Sequence, residues 1–301
     1  MTTAKPAYRL KAENLAKSFG DVKALSGVSF SVAEGEIFGL IGPDGAGKTT
    51  LFRLLTTLLL PDAGSAEVAG HDVVADYKAV RRIAGYMPGR FSLYPDLSVK
   101  ENLEFFASIF GVKVSDNYAM IAPIYSQLER FASRPAGKLS GGMKQKLALC
   151  CALVHKPEIL FLDEPTTGVD AVSRAEFWDI LEEIKTTGMS VVVSTPYMDE
   201  AARCDRIALI NRGEIMAVGK PDEIPRRFDG RLFTVGCADN YAALQKLRVA
   251  PGVEDVYLFG EKLHLVTADG KPVGLEPGMT LTPIEPTIED VFIRLMKRDD
   301  D

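Results

Sequence analysis

An α/β fold built around a phosphate-binding loop is what this sequence predicts. Three observations lead there: a glycine-rich loop between an apolar strand and a helix, short apolar runs alternating with helical stretches, and an apolar strand ending in adjacent carboxylates. The loop is Gly42-Pro43-Asp44-Gly45-Ala46-Gly47-Lys48-Thr49-Thr50, preceded by Ile37-Phe38-Gly39-Leu40-Ile41 and followed by a helical run from Leu51 to Leu59. The glycines let successive backbone N–H groups turn toward phosphate oxygens, and the helix directs its positive end to the same point. Lys48 is placed to reach β- and γ-phosphates and Thr49 to ligate Mg²⁺, so the segment predicts a bound nucleoside triphosphate.

The remaining elements follow from periodicity. Alternation of apolar and polar residues over Tyr8 to Leu15 and Val28 to Val32 predicts antiparallel strands ahead of the loop. Ile83 to Met87, Ile159 to Leu162, Ser190 to Ser194 and Ile207 to Ile210 are short apolar runs, as a buried parallel sheet requires. Two helix patterns, Val99 to Phe110 and Asn117 to Phe131, predict a helical subdomain over about residues 90–155. Past Pro221 the spacing changes: strand-like Leu232 to Val235, Val253 to Leu258 and Leu263 to Val266 surround a helix, Tyr241 to Leu247, and a last helix runs from Ile288 to Met296. The expected organisation is therefore a large domain over 8–220 and a small C-terminal α+β domain over 225–301.

Composition narrows the function. With 47% hydrophobic and 25% charged residues the chain can bury a real core, and its net charge of −6 argues against nonspecific binding to nucleic acid. The longest apolar run, Leu51 to Leu60, is interrupted by Arg53 and falls short of the roughly 18–20 residues that cross a bilayer. No apolar run follows Met1-Thr2-Thr3-Ala4-Lys5-Pro6, so the expected location is cytoplasmic. Cys150, Cys151, Cys204 and Cys237 lack the spacing of a zinc site and read as buried thiols.

Leu160-Phe161-Leu162-Asp163-Glu164 places two carboxylates at a strand end, about 115 residues after the phosphate loop. Strand alternation is expected to send them to different sides, with Asp163 holding Mg²⁺ through water and Glu164 polarising an attacking water as general base.

Leu139-Ser140-Gly141-Gly142-Met143-Lys144-Gln145 opens a helical run just ahead of that strand. Together the three ordered motifs resemble those of ATP-binding-cassette (ABC) ATPases, over about residues 8–220. The resemblance implies a P-loop NTPase fold with an antiparallel β subdomain, and a head-to-tail dimer with a second ABC ATPase subunit, identical or different. Each ATP would lie between the phosphate loop of one subunit and the signature of the other, where Ser140, Gly141 and Gly142 meet the γ-phosphate. Phe19 matches the family's adenine-stacking aromatic, and Asp170 the loop that reaches across the dimer. Arg90 to Val99 occupies the loop that receives a coupling helix from a transmembrane permease subunit, which would hold the chain peripherally on the inner face of the membrane. Tyr197-Met198-Asp199-Glu200-Ala201 and the tail Pro286 to Phe292 resemble bacterial ABC-2-type and drug-export ATPases, pointing to export.

Two positions depart from the pattern. The family usually has Gln where this chain has Gly89, a residue that ligates Mg²⁺ and positions water, and His where it has Pro196, a contact to the γ-phosphate. Neither Gln127, Gln145 and Gln245 nor His71, His155 and His264 falls at the missing positions, leaving Arg90 as the neighbouring cation. Thr195 as N-cap with Pro196 at the first helical position is the local structural expectation. The sequence thus predicts an ATPase that binds Mg-ATP and hydrolyses it slowly at its own site, with a non-hydrolysing ATP-gated clamp as the alternative. A soluble cassette of translation or DNA repair is disfavoured, since the chain has one cassette and no basic linker.

Overall fold

The computed structural model describes residues 8–89, 93–267, 275 and 278–298, and the chain divides into two compact units, Met1–Pro221 and Asp222–Asp301. In the first unit, β1 (Leu10–Phe19) and β2 (Val22–Val32) form an antiparallel pair, β3 (Ile37–Ile41) leads into the phosphate loop, and α1 (Lys48–Leu55) leaves it. There follow β4 (Ala63–Val68), β5 (His71–Asp72), α2 (Tyr77–Ile83), β6 (Ala84–Met87), α3 (Val99–Ile109), α4 (Tyr118–Tyr125), α5 (Gly141–Leu153), β7 (Ile159–Asp163), α6 (Ala171–Thr186), β8 (Ser190–Thr195), β9 (Arg206–Asn211) and β10 (Glu214–Gly219).

These strands make two sheets. One is antiparallel in the order β2-β1-β4-β5; the other runs β10-β9-β3-β8-β7-β6, parallel except for β10 at its edge. β3, β7 and β8 are buried along their whole length, which is why they read as unbroken apolar runs rather than alternating ones. A single apolar cluster joins the two sheets through α1: Phe30 stacks on Phe38 at 5.3 Å, and Phe52 meets Phe161 edge-on at 5.8 Å. Packing on both sides of α1 therefore fixes where the phosphate loop opens.

Several elements differ from the sequence expectation. α1 stops at Leu55 rather than Leu59, because Thr57 adopts a left-handed φ of 64° and Leu58 N returns to Arg53 O at 2.7 Å. The helix expected from Asn117 to Phe131 is broken: α4 covers only Tyr118–Tyr125, flanked by 3₁₀ turns at Val114–Asn117 and Glu129–Phe131. α4 runs through Pro123, which gives up one amide of its ladder, and ends at Tyr125, where Leu128 N bonds Tyr125 O at 2.7 Å in a tighter turn. Strands β4, β5 and β10 and helix α2 were not anticipated.

α3 begins as expected. Ser98 and Glu101 form a reciprocal capping box, and the fully buried Asn102 donates to the carbonyls of Tyr94, Leu97 and Ser98 while accepting Tyr94 N. That amide ties the segment after Leu93 to the helix. Arg90 and Phe91 of the expected coupling loop lie outside the described residues. All four cysteines are free thiols; burial pushes the pKa of Cys150, Cys151 and Cys204 well above the ordinary thiol range, while Cys237, expected to be buried, is half-exposed. Among the described residues no helix is long and apolar enough to cross a membrane.

The second unit is a four-stranded antiparallel sheet, β12-β13-β11-β14, made of β11 (Arg231–Gly236), β12 (Val253–Phe259), β13 (Lys262–Thr267) and β14 (Thr280–Pro283), with α7 (Asn240–Leu247) between β11 and β12 and α8 (Ile288–Arg298) at the end. Strand alternation divides its core: Val235, Val256, Leu263 and Leu265 pack with α7, while Leu232, Tyr257 and Val266 pack with Ile293 of α8. The start of α8 is held by Asp290, which is fully buried and accepts from Tyr257 Oη (2.8 Å), Thr287 N (2.8 Å) and Thr287 Oγ1 (2.7 Å), with His264 Nδ1 at 2.7 Å. Burial opposes its ionisation, but these donors keep its carboxyl below the usual range.

Candidate functional site: the phosphate loop and its carboxylates

The phosphate loop is the turn between β3 and α1, and its shape is set by backbone packing. Gly47 sits at φ 102°, and a Cβ there would fall 2.5 Å from Ala24 O, so only glycine fits beside β2. Gly42 N bonds Thr195 O at 3.2 Å, Ala46 N bonds Pro43 O at 3.2 Å, and the buried Ala46 accepts Gly213 N at 3.0 Å. Asp44, Gly45, Gly47, Lys48, Thr49, Thr50 and Glu164 line an open cavity of about 450 Å³, completed by Val22, Lys23, Ala24 and Arg212. Phe19, at the end of β1, is 49% exposed and does not line that cavity.

Lys48 is 3% exposed, and its ammonium donates to Gly42 O (2.8 Å) and Pro43 O (2.9 Å) and pairs with Glu164 Oε1 (3.0 Å). Asp163, the last residue of β7, is also buried; its Oδ1 accepts the Ser194 hydroxyl at 2.7 Å across the parallel β7–β8 register. The two carboxylates diverge, though not by strand pleat as expected. Glu164 has left the strand: its φ is 50°, and its amide turns back onto Ser194 O (3.1 Å) and Oγ (3.0 Å). The turn, anchored on β8, aims the Glu164 side chain at Lys48.

A second cavity of about 410 Å³ brings Thr49, Asp163 and Glu164 together with Arg53, Tyr86, Pro88 and Gly89. A threonine hydroxyl and an aspartate carboxylate opening on one cavity beside a phosphate loop are hard oxygen donors of the kind Mg²⁺ takes, along with phosphate oxygens and water. Thr49 and Asp163 therefore fit Mg²⁺. Arg53 and Tyr86 were missed by sequence reasoning, although Arg53 lies one helical turn beyond Thr49 and so on the same face. Burial and the Asp163 carboxylate push the Tyr86 phenol up to about 12, against the opposing pull of Arg53. Ser194 was missed for a different reason, since only the strand register brings it to Asp163.

The two departures have structural consequences. A Cβ at Gly89 would lie 2.9 Å from Asp163 O, inside ordinary contact, so the close approach of this segment to β7 leaves no room for a side chain without movement. Pro196 does not start a helix as expected. Thr195 ends β8, its hydroxyl accepts Tyr197 N at 3.1 Å, and the helical turn that follows, Met198–Arg203, is 3₁₀ and begins after Tyr197. Proline thus lies inside a tight Thr195–Tyr197 turn.

Ser140 caps α5, its hydroxyl accepting Met143 N at 3.4 Å. Gly141 stands beside Gly89, Lys144, Gln145 and Thr167 around a smaller cavity of about 220 Å³. Gly142 packs against Ser173 at the start of α6, where Asp170 is the N-cap and accepts Ser173 N at 3.0 Å, holding its carboxyl below the usual range. Ser140, Gly141 and Gly142 line neither of the two cavities that hold the phosphate loop. Within one chain, the loop and the signature line different cavities, which meet at Pro88 and Gly89.

Residues 25–167 match the ABC transporter family. The probable multidrug ABC transporter ATP-binding protein YbhF of Escherichia coli (strain K12) is 39% identical over 292 residues, covering 92% of this chain and 50% of that protein. This chain therefore spans about half the length of YbhF. Nod factor export ATP-binding protein I of Rhizobium sp. (strain N33) is 37% identical over 290 residues, covering 94% of this chain and 95% of the relative. Among solved structures, the ATP-binding subunit of an ABC transporter superposes with a TM-score of 0.66 at 29% identity, over 73% of this chain and 92% of that one. A dimeric bacterial ABC transporter cassette superposes with a TM-score of 0.63 at 26% identity, over 70% of this chain and 98% of that one. Nearly full-length similarity at 37% identity to the Nod factor export ATP-binding protein shows that this chain, with its phosphate loop and carboxylate strand, belongs to the family of ABC transporter ATP-binding proteins.

Proposed function

We propose that this chain is the ATP-binding subunit of an exporter, binding Mg-ATP at an interface with a second cassette and turning it over slowly at its own phosphate loop. The observation that carries this reading is the cavity shared by Thr49, Asp163, Glu164 and Gly89: donors for Mg²⁺ and a base are in place, while the wall facing them offers a glycine. Lys48, Asp44, Gly45, Gly47 and Thr50 hold the phosphates, Thr49 and Asp163 hold Mg²⁺, and Glu164 is the general base. The metal would supply charge neutralisation at the β- and γ-phosphates. Gly89 and Pro196 present no side chain able to orient water or donate to the γ-phosphate. The loss of one such donor in a preorganised site costs a factor of about 10² to 10³.

A second cassette follows from the separate cavities. Ser140 caps the helix that Gly141 and Gly142 open, none of the three lines the cavities that hold the phosphate loop, and a phosphate loop from another subunit would complete them. Phe19, exposed at the end of β1, is left for the adenine. An apolar groove of about 350 Å³ lined by Leu58, Tyr86, Leu93, Phe106, Ile109 and Phe110 supports docking of a permease helix, which would hold the subunit at the cytoplasmic face of a membrane. The names of its relatives, multidrug and Nod factor export, favour export. The C-terminal unit over 225–301 is proposed as an independent α+β domain.

The test is Mg-ATP turnover by the purified chain with Glu164→Gln as reference, alongside ATP binding. Tight binding with turnover barely above that of Glu164→Gln is the expected result. Brisk turnover abolished by Glu164→Gln would make Gly89 and Pro196 tolerated residues and remove the slow-site reading.

A further inference from the structure

The Lys48 ammonium is held entirely within the protein: it donates to Gly42 O at 2.8 Å and Pro43 O at 2.9 Å and forms an ion pair with Glu164 Oε1 at 3.0 Å. The pair is shielded, with the Lys48 side chain 3% exposed and that of Glu164 22% exposed. We propose that the Lys48–Glu164 pair is an autoinhibitory latch, which occupies the phosphate-binding cation and immobilises the general base until a nucleotide phosphate displaces the carboxylate.

The geometry makes the exchange a side-chain event. The Glu164 backbone is fixed, its amide bonded to Ser194 O and Oγ and its φ held at 50°, so displacement from Lys48 rotates the carboxylate and leaves the chain in place. The other side-chain contact of the carboxylate is weak, with the Thr167 hydroxyl 3.5 Å from Oε2. Gly89 and Pro196 offer nothing to hold it in an open position. The latch therefore re-forms readily, and phosphate must compete with a carboxylate already at hydrogen-bond distance. This rests on reading the loop as a nucleotide site, and it adds that Glu164 weakens phosphate binding as well as assisting chemistry.

ADP is the probe, because its binding is read without turnover. By calorimetry on the full chain, Glu164→Gln and Glu164→Asp should each bind Mg-ADP about 5–10-fold more tightly than the parent, the range set by a shielded ion pair that no longer has to be broken. Glu164→Asp keeps the charge but draws it back by one methylene, so it separates the latch from simple repulsion between carboxylate and phosphate. Tightening in Glu164→Gln alone would overturn the latch in favour of repulsion, and no tightening in either variant would overturn it outright. Thr167→Ala, which leaves the pair intact, should bind ADP as the parent does. If neither parent nor variants bound ADP, the nucleotide reading itself would fall and the latch with it, whereas brisk ATP turnover would refute the slow site alone.

Discussion

Restoring the two missing side chains should not give two equal gains, and the asymmetry can be worked from the structure. At position 89 a Cβ would stand 2.9 Å from Asp163 O, about half an ångström inside the 3.4 Å at which ordinary contact begins. The obstacle is backbone at the end of β7, held between β6 and β8 in the parallel sheet, so it cannot rotate away as a side chain would. Gly89→Gln must instead move the 88–89 segment off β7, at an overpacking cost of about 1–3 kcal/mol, and this displaces the wall of the Mg²⁺ cavity. Position 196 already carries a side chain: it lies in a turn closed by Thr195 and Tyr197, and exchanging proline there for histidine relaxes the unfolded chain by about 0.4–1 kcal/mol. Pro196→His should therefore raise Mg-ATP turnover by a factor of about 10² while lowering the melting temperature slightly. Gly89→Gln alone should give no gain and a clear loss of thermal stability, and the double variant should fall below the product of the two single effects. Steady-state ATPase assays and thermal melts on all four chains decide the matter. If Gly89→Gln restored turnover by itself and Pro196→His did nothing, the steric argument at Asp163 would be refuted.

Two further predictions concern stability. Burial lowers the His155 imidazole from 6.5 to about 4 despite its contact with Ala84 O, so on acidification the unfolded chain takes the proton first; stability is whole above pH 6.5, declines as pH falls toward 4, and His155→Phe, which can keep the stack on Phe110, should remove about 2 kcal/mol of the loss between pH 7 and pH 5 in denaturant titrations. In the second unit, Asp290→Asn replaces a fully buried carboxylate by a group that cannot accept all its donors, and should destabilise the seating of α8 by about 3 kcal/mol, read as faster hydrogen exchange in α8 with β7 unchanged.

What the sequence disclosed, it disclosed where one local rule governs. The phosphate loop, the strand ending at Asp163 and the cap at Ser140 are each set by a few consecutive residues, and each stands where the pattern put it. Rules that run over longer stretches failed: apolar periodicity carried one helix past Tyr125 and another past Leu55, while the chain tightened into 3₁₀ turns in one place and took a left-handed Thr57 in the other. Mostly exposed β4 and the short, partly buried β10, whose apolar residues do not alternate with polar ones, became visible only through pairing with β1 and β9. Site residues contributed by register were equally hidden. Ser194 is one of several small residues in an apolar strand until β7 and β8 align it with Asp163.

Gly89 and Pro196 connect these lessons to function. Read from sequence, each is the absence of a family side chain, and absence alone does not separate a site that has lost a part from one built to do without it. The structure adds that Gly89 is packed against the carbonyl of the proposed metal-binding Asp163, and that Pro196 lies within a turn closed by Thr195, the residue whose carbonyl accepts Gly42 N at the head of the phosphate loop. Both substitutions are therefore integrated into the backbone that shapes the site. A glutamine at 89 and this approach of the segment to β7 are mutually exclusive, so the geometry around Asp163 belongs to a site that works without that side chain. On the proposed slow-site reading, regaining turnover through position 89 requires moving backbone beside β7 as well as adding a side chain, whereas position 196 asks only for the side chain.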